Sequence, residues 1–448
     1  MTLPIVRVGS AAVDITPPLS IPHLGFVPRQ GRFTGVADPL QARAFVFEGD
    51  DQRRVALLCT DSLGFGSGIL GPGRHFTDEV RALVSERTGL EPGALMLSAT
   101  HAHSTPETLG ITRLLDVPAA APWLEVLLDQ LASAVEMAGH DLQPCRLKVG
   151  RGEVRGVAKN RRPSAQGLTL DEQAAGGKLD RELQVLVCED EAGRAAQVLV
   201  NFQCHPVTMQ VQPLVSADYP GVMAALVERN LPGCRTCGFL QGAAGNLNPV
   251  RGDSRDYRDV QLYGTMVGGE ALKVAAGLLG DDSTASRSGT VAWAAERVML
   301  PPRPLPDREP YEARLEGAEI QAAGAIGAEA RQQAEAELRR AREAVQVWER
   351  YSEPQEAEVQ VLRLGDLAIA SNPGEMFTEW GLRIKRESAA PYTFVSELTN
   401  GWVGYLLNEG GFAEGGYEAS LGPWTQVGEE AGAIISDASL RLIEGLWG

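Results

Sequence analysis

RVALLCTDSLGF (54–65), TDEVRALVSERTG (77–89) and ALMLSATHAH (94–103) decide the fold between them. The first and third are apolar runs of strand length. The second carries Val80, Leu83 and Val84 at helical spacing, with Thr77 or Asp78 able to cap its start and Gly89 its end. Strand, helix and strand in so short a stretch read as a βαβ unit. Its two strands run parallel, because the crossover helix returns the chain to the edge it left. His101 and His103 then fall at the carboxyl end of the second strand, the edge where open α/β sheets bind ligands.

Outward from this unit the pattern continues. PWLEVLLDQLASAVEMAG (122–139) places Leu124, Leu127, Leu128, Leu131 and Val135 on one helical face. LQVLVCED (183–190) and AQVLVNFQCH (196–205) are two apolar runs joined by a short polar turn and read as a hairpin whose second strand ends at His205. SADYPGVMAALVERNLPG (216–233) reads as a helix, with Pro220 in its first turn and Pro-Gly after its end. CGFLQGAAGNLNP (237–249) is a strand running into a Gly/Asn loop. Residues 312–351 are rich in Ala, Glu, Arg and Gln and predict two helices around AAGAIG (322–327). AEVQVLRLG (357–365) and LAIASNPGE (367–375) return to strands, the second ending close to Glu375. No linker isolates a domain. The expected architecture is α/β: a mixed β-sheet core flanked by helices, one catalytic unit over 1–448, with a helical hairpin inserted at 305–355.

Composition excludes several functions. The formal net charge of −17 repels nucleic acid and anionic membrane surfaces alike. No apolar run is long enough for a transmembrane segment. MTLPIVRVGSAAVDITPP (1–18) shows no charged-then-apolar leader and reads as a strand entering a proline-rich turn, so a cytoplasmic location is expected. Six cysteines in 448 residues do not make a disulfide framework. Cys234 and Cys237 form one CxxC pair where a structural zinc site normally needs two, and they lead into a buried-strand pattern, so they read as thiols near a strand. Homo-oligomerisation stays open.

Three places hold candidate chemistry. Residues two apart on a strand point to one side, so His101 and His103 share a face if 98–103 is extended. They either finish a strand as polar residues or face a metal together. His205 ends an apolar strand and is followed at once by Pro206. Glu375 follows Asn-Pro-Gly at the mouth of a turn, where it is either an acid at a helix N-terminus or a ligand. Two histidines and a carboxylate at strand ends match the donor set of a catalytic zinc site that leaves one position for water.

The ordered set AAVDITPP (11–18), GVADPLQARAFVFE (35–48), SATHAHS (98–104), NRR (160–162), NFQCHP (201–206), SADYPG (216–221), QGAAGNLNP (241–249), NPGE (372–375) and GYLLNEGGFAEGGYEAS (404–420) resembles the catalytic domain of the neutral/alkaline non-lysosomal ceramidases, zinc amidases of lipid metabolism. The resemblance implies Zn2+ held by His101, His205, Glu375 and Tyr405. It implies His103 near the substrate amide, Arg161 from the family's Asn-Arg motif, and Tyr417 from its second tyrosine. A zinc-activated water needs an oxyanion stabiliser and a proton for the leaving nitrogen, tasks that suit His103, Arg161 and Tyr417. The implied substrate is a small-molecule or lipid-like acyl amide.

Two departures bear on that reading. The family's Gly-Asp-x-Ser-Pro is Gly245-Asn246-Leu247-Asn248-Pro249 here, so Asn248 stands where the family has its active-site serine. An amide side chain can donate or accept a hydrogen bond but is no nucleophile; a zinc-water mechanism survives the change. THxHSGP becomes Ser104-Thr105-Pro106 after the histidines, without the glycine. The chain also ends at Gly448, soon after the tyrosine motif, so a member without the family's C-terminal domain is expected. The alternatives are a zinc-dependent esterase or lactonase on a small soluble substrate, and a non-catalytic metal-binding homologue.

Overall fold

In the computed structural model, residues 4–23, 32–111, 114–252 and 256–448 are described. Twelve strands carry the architecture: β1 Val6–Asp14, β2 Gln41–Glu48, β3 Arg54–Thr60, β4 Leu95–Ala99, β5 Gln143–Glu153, β6 Glu182–Asp190, β7 Ala195–Phe202, β8 Thr236–Gln241, β9 Val291–Leu300, β10 Gln355–Leu364, β11 Leu367–Ser371 and β12 Tyr392–Ser396. The first eight form one mixed sheet in the order β8-β7-β6-β5-β1-β2-β3-β4, and the last four form a second sheet in the order β9-β10-β11-β12. The fold is thus α/β with mixed sheets and flanking helices, as expected.

The pattern of the strands explains the layering. The central residues of β6 and β7 are buried on both faces: Leu186, Cys188 and Leu199 join one core, and Val185, Val187, Val198 and Val200 the other. Each such side chain taken fully from water contributes about 1.5–3 kcal/mol. Helix Ala120–His140 covers β1 and β2, burying Leu124, Leu127, Leu128, Leu131 and Val135 as its spacing predicts. Helices Asp218–Asn230 and Tyr257–Leu278 pair with each other and cover the β5, β6 and β8 region. Helix Glu430–Trp447 lies on β9 and β10.

The βαβ unit is present, with β3 and β4 parallel from Ala56↔Leu95 to Thr60↔Ala99. Its helix spans Phe76–Thr88 and ends on Gly89, whose φ of 71° is the left-handed C-cap that favours glycine. The expected cap at Thr77 or Asp78 is not used: the N-cap is His75, with no side-chain cap bond. The helix thus begins at Phe76, which stacks on Phe65 at 4.3 Å between ring centroids. The β6–β7 hairpin is antiparallel, as read.

Three parallel pairs, β3/β4, β7/β8 and β11/β12, aim their carboxyl ends at one region. The two sheets are stitched there. Ala99 N–H donates to the Leu398 carbonyl at 3.2 Å, Asn400 N–H to Leu97 at 2.8 Å, and Glu397 N–H to Gln241 at 3.0 Å. The helical hairpin, Glu309–Gly324 and Ala328–Arg350, connects β9 to β10, inside the 305–355 insertion read from composition. Among the described residues no helix is long and apolar enough to cross a membrane.

Candidate metal centre

β4 stops at Ala99, before the histidines. The extended geometry expected for 98–103 is therefore absent, and His101 has a φ of +65°. Left-handed backbone is uncommon outside glycine, and here it turns the ring inward. His101 Nδ1 lies 2.7 Å from the Leu63 carbonyl, just beyond the end of β3. A carbonyl only accepts, so Nδ1 carries a proton, and Nε2 is the ring nitrogen left to face the other side chains. His103, anchored by its N–H to the Pro206 carbonyl at 3.1 Å, brings its Nε2 to 3.2 Å from His101 Nε2. The two rings meet as the sequence suggested, through a turned loop and not through strand alternation.

His205 lies three residues beyond β7. Its Nδ1 is 2.7 Å from the Ala244 carbonyl and 3.1 Å from that of Leu247, which again fixes the proton on Nδ1 and frees Nε2. His101, His103 and His205 offer ring nitrogens that all lie within 4.8 Å of one another, a group able to hold a metal ion.

Glu375 also lies past its strand: β11 ends at Ser371, and Glu375–Met376 pairs separately with Tyr405–Leu406 in parallel, Glu375 opposite Tyr405. Opposed residues of a parallel pair share a face, so this register places the carboxylate and the phenol on one side. Glu375 Oε2 is 3.3 Å from His205 Nε2 and 3.5 Å from His101 Nε2, and its Oε1 accepts from the Trp402 indole at 3.2 Å. Gly245 has to be glycine, because a Cβ there would run into the Glu375 carbonyl.

Arg161 forms a fork beside this cluster. It donates to Glu418 at 2.7 Å, to Asn248 Oδ1 at 2.8 Å, to the Gly245 carbonyl at 2.8 Å and to the Tyr405 hydroxyl at 3.0 Å. Its hydrogen bonds are thus committed to protein. Tyr417 is 50% exposed, its ring edge-on to Tyr405 at 6.1 Å and stacked on Trp424 at 4.9 Å, so it stands at the solvent side. All eight residues named from sequence lie in this one region, with Tyr417 at its rim.

The electrostatics favour a cation. Burial, followed by the Arg161 charge, lowers the His205 pKa to about 4, so the ring is neutral near pH 7. Burial acts to raise Glu375, but His101 and His205 outweigh it and hold the carboxyl well below its ordinary range. Burial and Glu375 push the Tyr405 phenol well above its ordinary value. The Nε2 atoms of His101 and His205, each ring held through its Nδ1 by a carbonyl, therefore converge on one carboxylate oxygen. Imidazole nitrogen with carboxylate oxygen suits a divalent ion of the zinc type.

Several contributors carried no readable signal. The carbonyls of Leu63 and Ala244, which fix the tautomers, depend on backbone position alone. Trp402 sits in NGWVGY (400–405) with no spacing that ties it to Glu375. Glu418 and Arg162 were visible only inside longer motifs; Glu418 accepts from both arginines, Arg162 at 2.8 Å. Cys234 and Cys237 are free thiols; Cys237 is buried in β8, in line with the structural reading.

The model of the neutral/alkaline non-lysosomal ceramidase N-terminal region matches residues 6–254. Neutral ceramidase A of Dictyostelium discoideum is 25% identical over 269 residues, 54% of this chain and 36% of that protein. Neutral ceramidase of Pseudomonas aeruginosa is 26% identical over 253 residues, 54% of this chain and 37% of that protein. The matched stretch thus spans little more than a third of these relatives' own length. The crystal structure of the Pseudomonas aeruginosa neutral ceramidase superposes with a TM-score of 0.73 at 20% identity, covering 99% of this chain and 75% of that one. A ceramidase complexed with C2 gives 0.73 at 19% identity, covering 100% and 76%. Glu375, Tyr405 and Tyr417 lie beyond the stretch matched by the family model but within the shared fold. The match over more than half of its residues makes this chain a member of the neutral/alkaline non-lysosomal ceramidase family.

Proposed function

We propose that this protein is a zinc-dependent hydrolase of an N-acyl amide bond, with zinc held by His101, His205, Glu375 and Tyr405. The observation that carries the reading is the convergence of His101 Nε2 and His205 Nε2 on Glu375 Oε2, at 3.5 and 3.3 Å, with both Nδ1 protons already committed to carbonyls. Membership of a family whose named relatives are neutral ceramidases supports the amide as the bond cleaved. Zinc bound in such a site supplies Lewis acidity and a nucleophilic water at neutral pH.

The chain's own groups have separable tasks in this reading. Trp402 takes the Glu375 oxygen that faces away from the imidazoles and so fixes the carboxylate plane. Arg161 donates to the Tyr405 hydroxyl oxygen and so fixes where that oxygen stands relative to Glu375. The Arg161 charge then helps stabilise negative charge developing on the amide oxygen. His103 is part-exposed beside His101, its Nε2 at the edge of the cluster, a place that suits proton transfer to the leaving nitrogen. Asn248 orients Arg161 and performs no covalent step. Tyr417, stacked on Trp424, presents an aromatic face to an incoming acyl substrate.

The test is turnover of matched N-acyl amides, esters and lactones by zinc-loaded protein. The reading expects the amide to be cleaved and His103→Ala to lower kcat by about 100- to 10,000-fold. Turnover confined to esters or lactones makes it an esterase or lactonase. Stoichiometric zinc with no turnover of any acyl substrate makes it a binding homologue.

A further inference from the structure

Glu397 lies behind the centre, in the segment that leaves β12, and is fully buried. Its Oε2 accepts two backbone N–H groups, Met376 at 2.7 Å and Ala244 at 3.2 Å. Met376 is the residue after Glu375. Ala244 is the residue whose carbonyl fixes the His205 tautomer. The same two loops also bond directly, Gly245 N–H to the Met376 carbonyl at 2.8 Å. Glu397's own N–H donates to the Gln241 carbonyl at the end of β8. One side-chain oxygen therefore sits where two ligand-bearing loops from different sheets meet. The other oxygen, Oε1, is buried and makes no hydrogen bond among the described residues. The side chain's polar contacts are thus spent on these two amides.

We propose that Glu397 is a positioning residue for the metal centre: by accepting the N–H groups of Met376 and Ala244 with one oxygen, it sets the spacing between Glu375 and His205. The inference rests on the ligand assignment proposed above. Glutamine keeps the length of the side chain and one oxygen able to accept both N–H groups. Residues that hold a metal's ligands in place commonly change metal affinity by about 10- to 100-fold when removed.

The test is zinc affinity, measured by chelator competition with zinc alone as ligand, on the full chain and on Glu397→Gln and Glu397→Met. Circular dichroism and thermal melting report folding in parallel. Glu397→Gln keeps an acceptor for both amides and is expected to bind zinc like the wild type. Glu397→Met keeps the volume but no strong acceptor, and is expected to fold and bind about 10- to 100-fold more weakly. Should the methionine chain fail to fold, Glu397→Ala, which also removes the acceptor, takes its place with the same expected weakening, and a folded glutamine chain that loses affinity overturns the proposal in either case. A folded Glu397→Met chain with wild-type affinity overturns it as well. Wild type that binds no zinc overturns the ligand assignment and this inference together, whereas zinc binding indifferent to residue 397 overturns this inference alone.

Discussion

Asn246 shows how one residue can depart from a family pattern and keep a site intact. Its Nδ2 donates to Glu379 at 2.9 Å, and its Oδ1 accepts the Thr378 N–H at 2.9 Å. Only an amide side chain can serve both partners, a carboxylate on one side and a backbone N–H on the other. The resemblance gives an aspartate at this place, but here it would face a buried carboxyl whose pKa burial already raises. Asn246→Asp is therefore expected to cost about 1–3 kcal/mol at pH 7, measured by urea unfolding. The deficit shrinks in acid, where one protonated carboxyl can donate to the other. An Asn246→Asp variant as stable as wild type at pH 7 contradicts this account. Asn248 has a parallel explanation: it holds Arg161 and so occupies the serine position without a nucleophile's task.

At the scale of elements, the departures from the sequence reading share one cause. The strands end early: β4 at Ala99, β7 at Phe202 and β11 at Ser371, two, three and four residues before the ligand-type side chain each leads to. Periodicity marks where an apolar run begins and fades, but a left-handed turn such as that at His101 leaves no periodic trace. The helical hairpin was legible because composition alone favours helix there. Its helices pack chiefly on each other, with Ile320 and Ile326 67% and 89% exposed. Arg308 pairs with Glu349 at 2.8 Å and the Trp348 indole donates to the Pro306 carbonyl, so the two ends of the hairpin are close. Replacing residues 312–347 by a short Gly/Ser loop is expected to leave zinc stoichiometry and far-UV folding cooperativity unchanged. Loss of zinc from a folded chain of that kind would give the hairpin a part in the site that its packing does not suggest.

On the scale of the molecule, the site is a product of topology. His101 comes from the β3–β4 edge, His205 from the β7–β8 edge, and Glu375 and Tyr405 from a short parallel pair beyond the second sheet; the two main sheets meet through residues 397–400. The α/β class was legible because each strand–helix unit carries its own local pattern. The histidines and Glu375 were legible as residue types at strand ends. What joins them was not: hydrogen bonds such as Trp402 to Glu375 or Glu397 to Ala244 link positions 27 and 153 residues apart in sequence, and no spacing rule reaches that far. Family resemblance bridged that gap for the ligands but not for the residues behind them.

The central claim is that one zinc ion lies among His101, His205, Glu375 and Tyr405. Elemental analysis of protein purified without chelators, wild type beside His205→Ala, tests it most directly. The account predicts one zinc per wild-type chain and its loss from a folded His205→Ala variant. Wild type without stoichiometric zinc that takes up none when it is added, or a variant that keeps its full zinc content, would contradict it.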